Sequence, residues 1–277
     1  MATVVQNDKS GMQQESEGIL SSLLYPKSGS GMPKFPAVAT IAILVIGGSF
    51  FGVYRWYQQT YSFSVGMDYF EPEFDTYWMN LLYAQLVIIA LVGSVGSALV
   101  WFSRPDANDV AHMEPLQELS IYNFIFALMA AASFFIVVIL AVFVEADAAW
   151  HQVTIRDTDF TPTHIGLFYM AIPLGMDAII LGWIWVHTRM PDFQNRVSIP
   201  LCLVAMAPIL IMPNLGLNEW GHTFFYAEEL FAAPIHWGFV TMGWGLFGMA
   251  GFILQCLARV RILTSLVGEE GSEKAAA

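Results

Sequence analysis

The sequence predicts an all-α integral membrane protein, a bundle of about six transmembrane helices with both termini in the cytoplasm. Three observations predict this fold class: the composition, the length of the apolar segments and the distribution of the basic residues. Of the 277 residues, 56% are hydrophobic and only 12% are charged. A typical soluble domain has about 45–50% apolar residues and about 25% charged residues. So few charges cannot cover the surface of a soluble protein of this size. The composition also excludes a disordered chain, a disulfide-stapled fold and a basic protein that binds nucleic acid.

Six apolar segments reach or approach the roughly 20 residues that a helix needs to cross about 30 Å of hydrocarbon. They are residues 36–54, 78–102, 121–144, 165–187, 197–217 and 236–258. The fifth contains Pro200, Pro208 and Pro213, so it is the least regular as a straight helix. These long continuous runs exclude the ten-residue alternating segments of a transmembrane β-barrel.

The basic residues indicate the orientation of the spans, because cytoplasmic loops of membrane proteins carry an excess of Lys and Arg. With six spans and cytoplasmic termini, only Arg55 and Arg156 fall outside. The cytoplasmic side then holds the other nine: Lys9, Lys27, Lys34, Arg104, Arg189, Arg196, Arg259, Arg261 and Lys274. The chain is therefore expected to consist of a polar N-terminal tail (1–35), a transmembrane domain (36–262) and a C-terminal tail (263–277).

A carboxylate and two histidines lie at the outer boundary of the third and fourth predicted spans. Asp147 and His151 are four residues apart, so they share one face of a helix, and His164 follows thirteen residues later. Two histidines with one carboxylate are typical of non-haem Fe(II) sites, while imidazole-rich sites also hold copper and zinc. The spacing therefore predicts a metal site and does not choose among these metals.

A second set lies at the same depth, between the fifth and sixth predicted spans. Asn218 and His222 are four residues apart, and His236 follows fourteen residues later. Two parallel sets on one side of the membrane favour metal binding over interfacial histidines that only hydrogen-bond loops or lipid headgroups. Asp177, in the middle of the fourth span, is interpreted instead as a protonated carboxyl that is hydrogen-bonded to a neighbouring helix or subunit.

Three long motifs surround these residues: GMDYFEPEFDTYWM at 66–79, DAAWHQVTIRDTDFTPTHIGLF at 147–168 and PNLGLNEWGHTFFYAEELFAAPIHWGF at 213–239. In this order they resemble the C subunit of the copper membrane monooxygenases. That family comprises particulate methane monooxygenase, ammonia monooxygenase and related short-chain hydrocarbon monooxygenases. The likeness covers about residues 36–260 and leaves both tails unmatched.

The resemblance implies copper in both sets, namely at Asp147, His151, His164, Asn218, His222 and His236. It implies hydroxylation of methane, a short alkane or ammonia with O₂, with quinol as the electron donor. It also implies a complex with A and B subunits, a trimer of heterotrimers in the inner (cytoplasmic or intracytoplasmic) membrane, with the metal sites towards the extracytoplasmic side. The asparagine set is the hypothesised catalytic one, because its neutral ligands keep Cu(I) accessible.

Two other functions stay open on the sequence. A non-haem iron membrane hydroxylase would be expected to carry several HxxH or HxxxH boxes on the cytoplasmic side, and the sequence contains none. A structural or cation-conducting subunit is the second alternative. A conducting subunit would be expected to have polar or charged residues along several spans. Asp177 is the one ionisable residue at mid-membrane depth, which argues against conduction.

Overall fold

A computed structural model describes residues 18–153, 160–207 and 228–276, with side chains except at 148, 151–153, 228–243 and 269–276. Over these ranges the regular secondary structure is helical. An isolated β-bridge joins Lys27 and Pro33, and the described residues form no sheet. Five helices are long and apolar enough to cross a membrane: Ala37–Val65, Pro72–Phe102, Pro115–Asp147, Pro162–Arg189 and Trp244–Gly268. The all-α membrane class is thereby confirmed.

The predicted segments locate these helices, but the helices extend beyond most of them. The first helix continues to Val65, eleven residues past the predicted end. Its last turns are aromatic and polar rather than aliphatic, so hydropathy alone places the end too early. Of the fifth predicted span, 197–217, the described part is helical over 199–207, and residues 208–217 lie outside the described ranges. The count of six spans and the position of the termini therefore stay predictions.

The elements that position the site are numbered here in chain order. The α-helices are α1 (Ala37–Val65), α2 (Asn80–Phe102), α3 (Pro115–Val138), α4 (Glu145–Val153), α5 (Pro162–Gly166), α6 (Ile172–Arg189) and α7 (Glu228–Ala276). Three π-helical segments lie between them: π1 (Asp75–Met79), π2 (Ile139–Val144) and π3 (Leu167–Ala171). π-Helical turns are rare and frequently occur at functional sites. Here π2 directly precedes α4, and π3 directly follows α5.

The spanning helices alternate in direction, so that residues far apart in sequence meet at two ends of the bundle. At one end, the Arg189 guanidinium donates to the Val100 carbonyl at 3.0 Å, and Arg259 pairs with Glu118 at 2.8 Å. At the other end, α5 packs against the last turns of α1, and Trp150 of α4 packs against Phe63 of α1. Arg189 and Arg259, two of the predicted cytoplasmic cations, therefore lie at the end of the bundle opposite Asp147 and His164.

Asp177 of α6 packs against Gly93 of α2. A Cβ atom added at Gly93 would lie 2.7 Å from the Asp177 Cγ atom, so the carboxyl occupies the space that a glycine leaves. Its Oδ2 atom is buried and has no hydrogen-bond partner among the described residues. The predicted hydrogen bond to a neighbouring helix is thus not found for this oxygen within the described ranges.

Gly93→Ala is expected to weaken the packing of α2 on α6 and to lower the free energy of unfolding by about 1–3 kcal/mol, as overpacked sites do. Adding Asp177→Ala should recover most of this loss, because it removes the group that the new methyl would contact. Thermal unfolding of the detergent-solubilised protein measures both effects. Gly48→Ala is the control, since Gly48 has open space around it. Equal losses with and without the Asp177 carboxyl would contradict this steric account.

Candidate metal centre

The short helix α5 presents His164 in its first turn. Thr161 caps this helix, because its hydroxyl accepts a hydrogen bond from the His164 backbone N–H at 3.0 Å. Pro162 occupies the first helical position, where its fixed φ is favourable and its missing N–H costs nothing. The sequence Thr-Pro-Thr-His therefore encodes a helix start and sets the histidine three residues after the cap.

The structure brings Asp147 and His164 together, as the sequence predicts. The Nε2 atom of His164 lies 3.4 Å from the Oδ1 atom of Asp147, and the two side chains are 2% and 15% exposed. The other side of the imidazole packs against Phe168, with ring centroids 4.8 Å apart. Two ligand atoms that are each about 2.1 Å from one ion, at a tetrahedral angle, are about 3.4 Å apart. The pair therefore has a spacing that suits two ligands of a single metal ion.

The third predicted member of this set is His151. It lies in α4 one helical turn after Asp147, which places both residues on the same face of that helix. Its side chain is outside the described residues, so its approach to the pair stays a prediction. Among the described side chains, no group of three His, Cys, Asp or Glu residues comes together.

The second predicted set lies almost wholly outside the described ranges. Asn218 and His222 fall in the stretch 208–227, and His236 lies in α7 with its side chain outside the described part. This set therefore rests on its sequence spacing alone.

A cavity of about 150 Å³ lies beside α4, between this helix and the end of α1. It is bounded by Arg55, Gln59, Ser62, Phe63, Ala146, Ala149, Trp150 and Thr163. Trp150 is 2% exposed and packs against the Phe63 ring, with centroids 5.2 Å apart. The indole therefore packs inside the protein at this end of the bundle, next in sequence to the predicted ligand His151.

Sequence reasoning missed two buried glutamines that contact the His164 turn. Gln58 of α1 donates to the Pro162 carbonyl at 3.2 Å, and Gln85 of α2 donates to the Ile165 carbonyl at 2.8 Å. A polar residue inside an apolar span usually faces the interior of the bundle. That signal was present at both positions, but only the packing identifies the groups that the two amides contact.

The comparisons with known proteins identify the family of this chain. A family model that describes the C subunit of ammonia monooxygenase/methane monooxygenase matches residues 33–267, which include both predicted metal-ligand sets. A search of curated proteins finds no match. A match over most of the chain, together with the membrane helices, establishes the family and the character of a multi-pass membrane subunit. The chain therefore belongs to the family of the C subunits of ammonia monooxygenase and methane monooxygenase.

Proposed function

We propose that this chain is the metal-binding membrane subunit of a copper-dependent monooxygenase. The complex inserts one atom of O₂ into a small substrate (methane, a short alkane or ammonia) and releases the other atom as water, with electrons from quinol. The family match supports the monooxygenase class. The single observation that supports a metal in this subunit is the buried contact of Asp147 with His164.

The donor set of the first site fits a copper ion. A carboxylate oxygen and an imidazole nitrogen converge in a buried place, and imidazole is a good ligand for copper. Bound copper would supply the one-electron redox chemistry that the reduction of O₂ requires. Asp147 contributes a negative charge that favours a divalent ion, whereas Asn218, His222 and His236 are neutral and suit Cu(I). We therefore assign catalysis to the asparagine set and an assisting or electron-relaying role to the aspartate set.

The residues of this chain would hold the ligands and exclude water from them. Because the His164 side chain is only 2% exposed and lies against Phe168, bulk water has little access to it. A gas-like apolar substrate partitions into lipid, so a site inside a helical bundle can receive it from the membrane.

The assembly that we propose contains A and B subunits and forms a trimer of heterotrimers in the inner membrane. The asymmetric distribution of the basic residues supports cytoplasmic termini and metal sites towards the extracytoplasmic side. The described helices agree with this orientation in one respect: Arg189 and Arg259 lie at the end of the bundle opposite Asp147 and His164.

Metal analysis of the purified complex, combined with O₂ uptake by its membranes, tests this function. We expect copper in the complex, loss of substrate-dependent O₂ uptake on treatment with a copper chelator, and recovery with copper but not with iron. Uptake is measured separately with ammonia, methane and propane, which identifies the substrate. Stoichiometric iron without copper would refute the proposal in favour of a non-haem iron hydroxylase. Uptake that none of the substrates stimulates would favour a structural or conducting subunit.

A further inference from the structure

Two buried glutamine amides hold the backbone on either side of His164. Gln58 donates to the carbonyl of Pro162, two residues before the histidine, and Gln85 donates to the carbonyl of Ile165, one residue after it. The glutamines are only 1% and 7% exposed and come from two different spanning helices. Their two bonds therefore connect α5 to both α1 and α2.

A second donor sets the orientation of each amide. The Arg55 guanidinium donates to the Gln58 Oε1 atom at 2.6 Å, and the Tyr54 hydroxyl donates to the Gln85 Oε1 atom at 3.0 Å. With each amide oxygen occupied by a donor, the amide nitrogen is directed to the carbonyl of α5. The same chain of two hydrogen bonds, from a donor side chain to a glutamine and from the glutamine to a backbone carbonyl, thus occurs twice around one helical turn.

The His164 turn benefits from such support because it stands at the very start of the continuous helical stretch Pro162–Arg189, where helix ends fray. Thr161 caps this turn, but the helix continues only on its C-terminal side. The π-helical segment π3 follows α5 directly, and wider turns change the backbone partners of nearby carbonyls. In a membrane an unsatisfied carbonyl is costly, so side-chain donors are favoured there.

The glutamines reach α5 because the helices approach very closely at Gly166. A Cβ atom added there would lie 3.1 Å from both the Gln58 Nε2 atom and the Tyr54 Cε1 atom. The glycine therefore leaves the space that Gln58 and Tyr54 occupy beside the metal-ligand turn.

We propose that Gln58 and Gln85 are positioning residues, which hold the His164 imidazole against Asp147 at the distance that a shared metal ion requires. This inference rests on the proposed function for the identity of the metal. The two amides act through the backbone of α5 and do not themselves contact the ion. Arg55 and Tyr54 complete the arrangement by orienting the amides.

The test replaces each glutamine with methionine, which is similar in size and cannot donate, in the complete complex purified from its membranes. Gln117→Met is the matched control, because Gln117 is an exposed glutamine in the first turn of α3, at the end of the bundle opposite His164. We expect Gln58→Met and Gln85→Met to lower the affinity of the site for copper about tenfold, as loss of an orienting partner typically does. We also expect an altered Cu(II) hyperfine splitting in electron paramagnetic resonance spectra. Both properties should be unchanged in Gln117→Met.

Hydrogen exchange of the amides of residues 163–167 in the metal-depleted complex separates this inference from the proposed function. Faster exchange in Gln58→Met and Gln85→Met than in Gln117→Met supports the positioning role even if the wild-type complex is found to hold no copper. Tyr54→Phe, which removes one hydroxyl only, is the milder variant if a glutamine variant fails to assemble. It should accelerate exchange to a smaller extent. Wild-type exchange in the assembled variants, or in Tyr54→Phe where they do not assemble, would overturn the proposal. So would unchanged copper affinity and spectra in a copper-loaded complex.

Discussion

The variant His222→Ala is expected to assemble into the complex and to show no turnover. His222 is one of three predicted ligands of the set that we assign to catalysis, and its loss leaves only Asn218 and His236 to hold the ion. Two remaining donors are too few to retain the ion, so we expect the O₂ chemistry that we assign to this set to be lost with it. Substrate-dependent O₂ uptake, with subunit stoichiometry measured in the same preparation, checks both parts of the expectation.

The corresponding change in the aspartate set, His164→Ala, is expected to release the ion of that set and to lower turnover without abolishing it. His164 is buried against Asp147 and Phe168, so alanine also leaves a cavity there. His164→Gln fills more of that space and is the second variant, which separates loss of the ligand from loss of packing. Both variants should lose copper, and only His164→Ala should lose substantial stability.

His112→Ala is the control for the histidine variants, because His112 is exposed at the opposite end of the bundle and contacts its own helix through the Asn108 carbonyl. It should keep the wild-type rate and the wild-type copper content. A wild-type rate in His222→Ala would refute the assignment of catalysis to the asparagine set. Complete loss of turnover in His164→Ala with full activity in His222→Ala would exchange the two roles.

Removal of Arg259 is expected to lower the free energy of unfolding by about 3–5 kcal/mol, because it leaves a buried carboxylate without its partner. The Nε and Nη2 atoms of Arg259 each donate to an oxygen of Glu118 at 2.8 Å. The Glu118 side chain is only 2% exposed, so solvent cannot replace the lost bonds. Arg259→Met keeps the aliphatic length of the side chain, and denaturation of the solubilised protein measures the loss.

The exposed pair of Arg196 with Asp192 provides the matched control for this prediction. Its arginine side chain is 55% exposed, and the two residues are four apart in sequence. Arg196→Met should therefore cost less than about 1 kcal/mol. The double variant Glu118→Gln/Arg259→Met should recover much of the stability that Arg259→Met loses, because the amide carries no charge to desolvate. A loss in Arg259→Met no larger than in Arg196→Met would contradict the expected role of the buried pair.

Much of the fold follows from local properties of the sequence. The apolar segments at 78–102, 121–144 and 165–187 each fall within a helix of the structure, since a run of about 20 apolar residues has few other stable conformations in a membrane. The ends of the helices were predicted less well than their positions. The first helix continues to Val65 through polar and aromatic residues, which a search for apolar runs does not assign to a span. The interior contacts of its last turns explain this extension.

The candidate site divides in the same way between local and long-range information. The spacing of Asp147, His151 and His164 predicts a metal-ligand set, and the structure places the first and last of these side chains 3.4 Å apart. Asp177 was noticed for its charge, but only the packing identifies Gly93 as its neighbour. Gln58 and Gln85 carry no charge and belong to no recognised motif. Their hydrogen bonds to the Pro162 and Ile165 carbonyls could therefore not be predicted from the sequence.

The sequence by itself determined the membrane class, the approximate spans, the family resemblance and the two sets of potential ligands. These depend on hydropathy and spacing along the chain, which are properties of short stretches. Only the tertiary structure decided which polar groups meet: Gln85 and Ile165 are 80 positions apart, Gln58 and Pro162 are 104 apart, and Glu118 and Arg259 are 141 apart. Such pairs form because buried polar groups must find partners among whatever the packing of distant helices brings within reach.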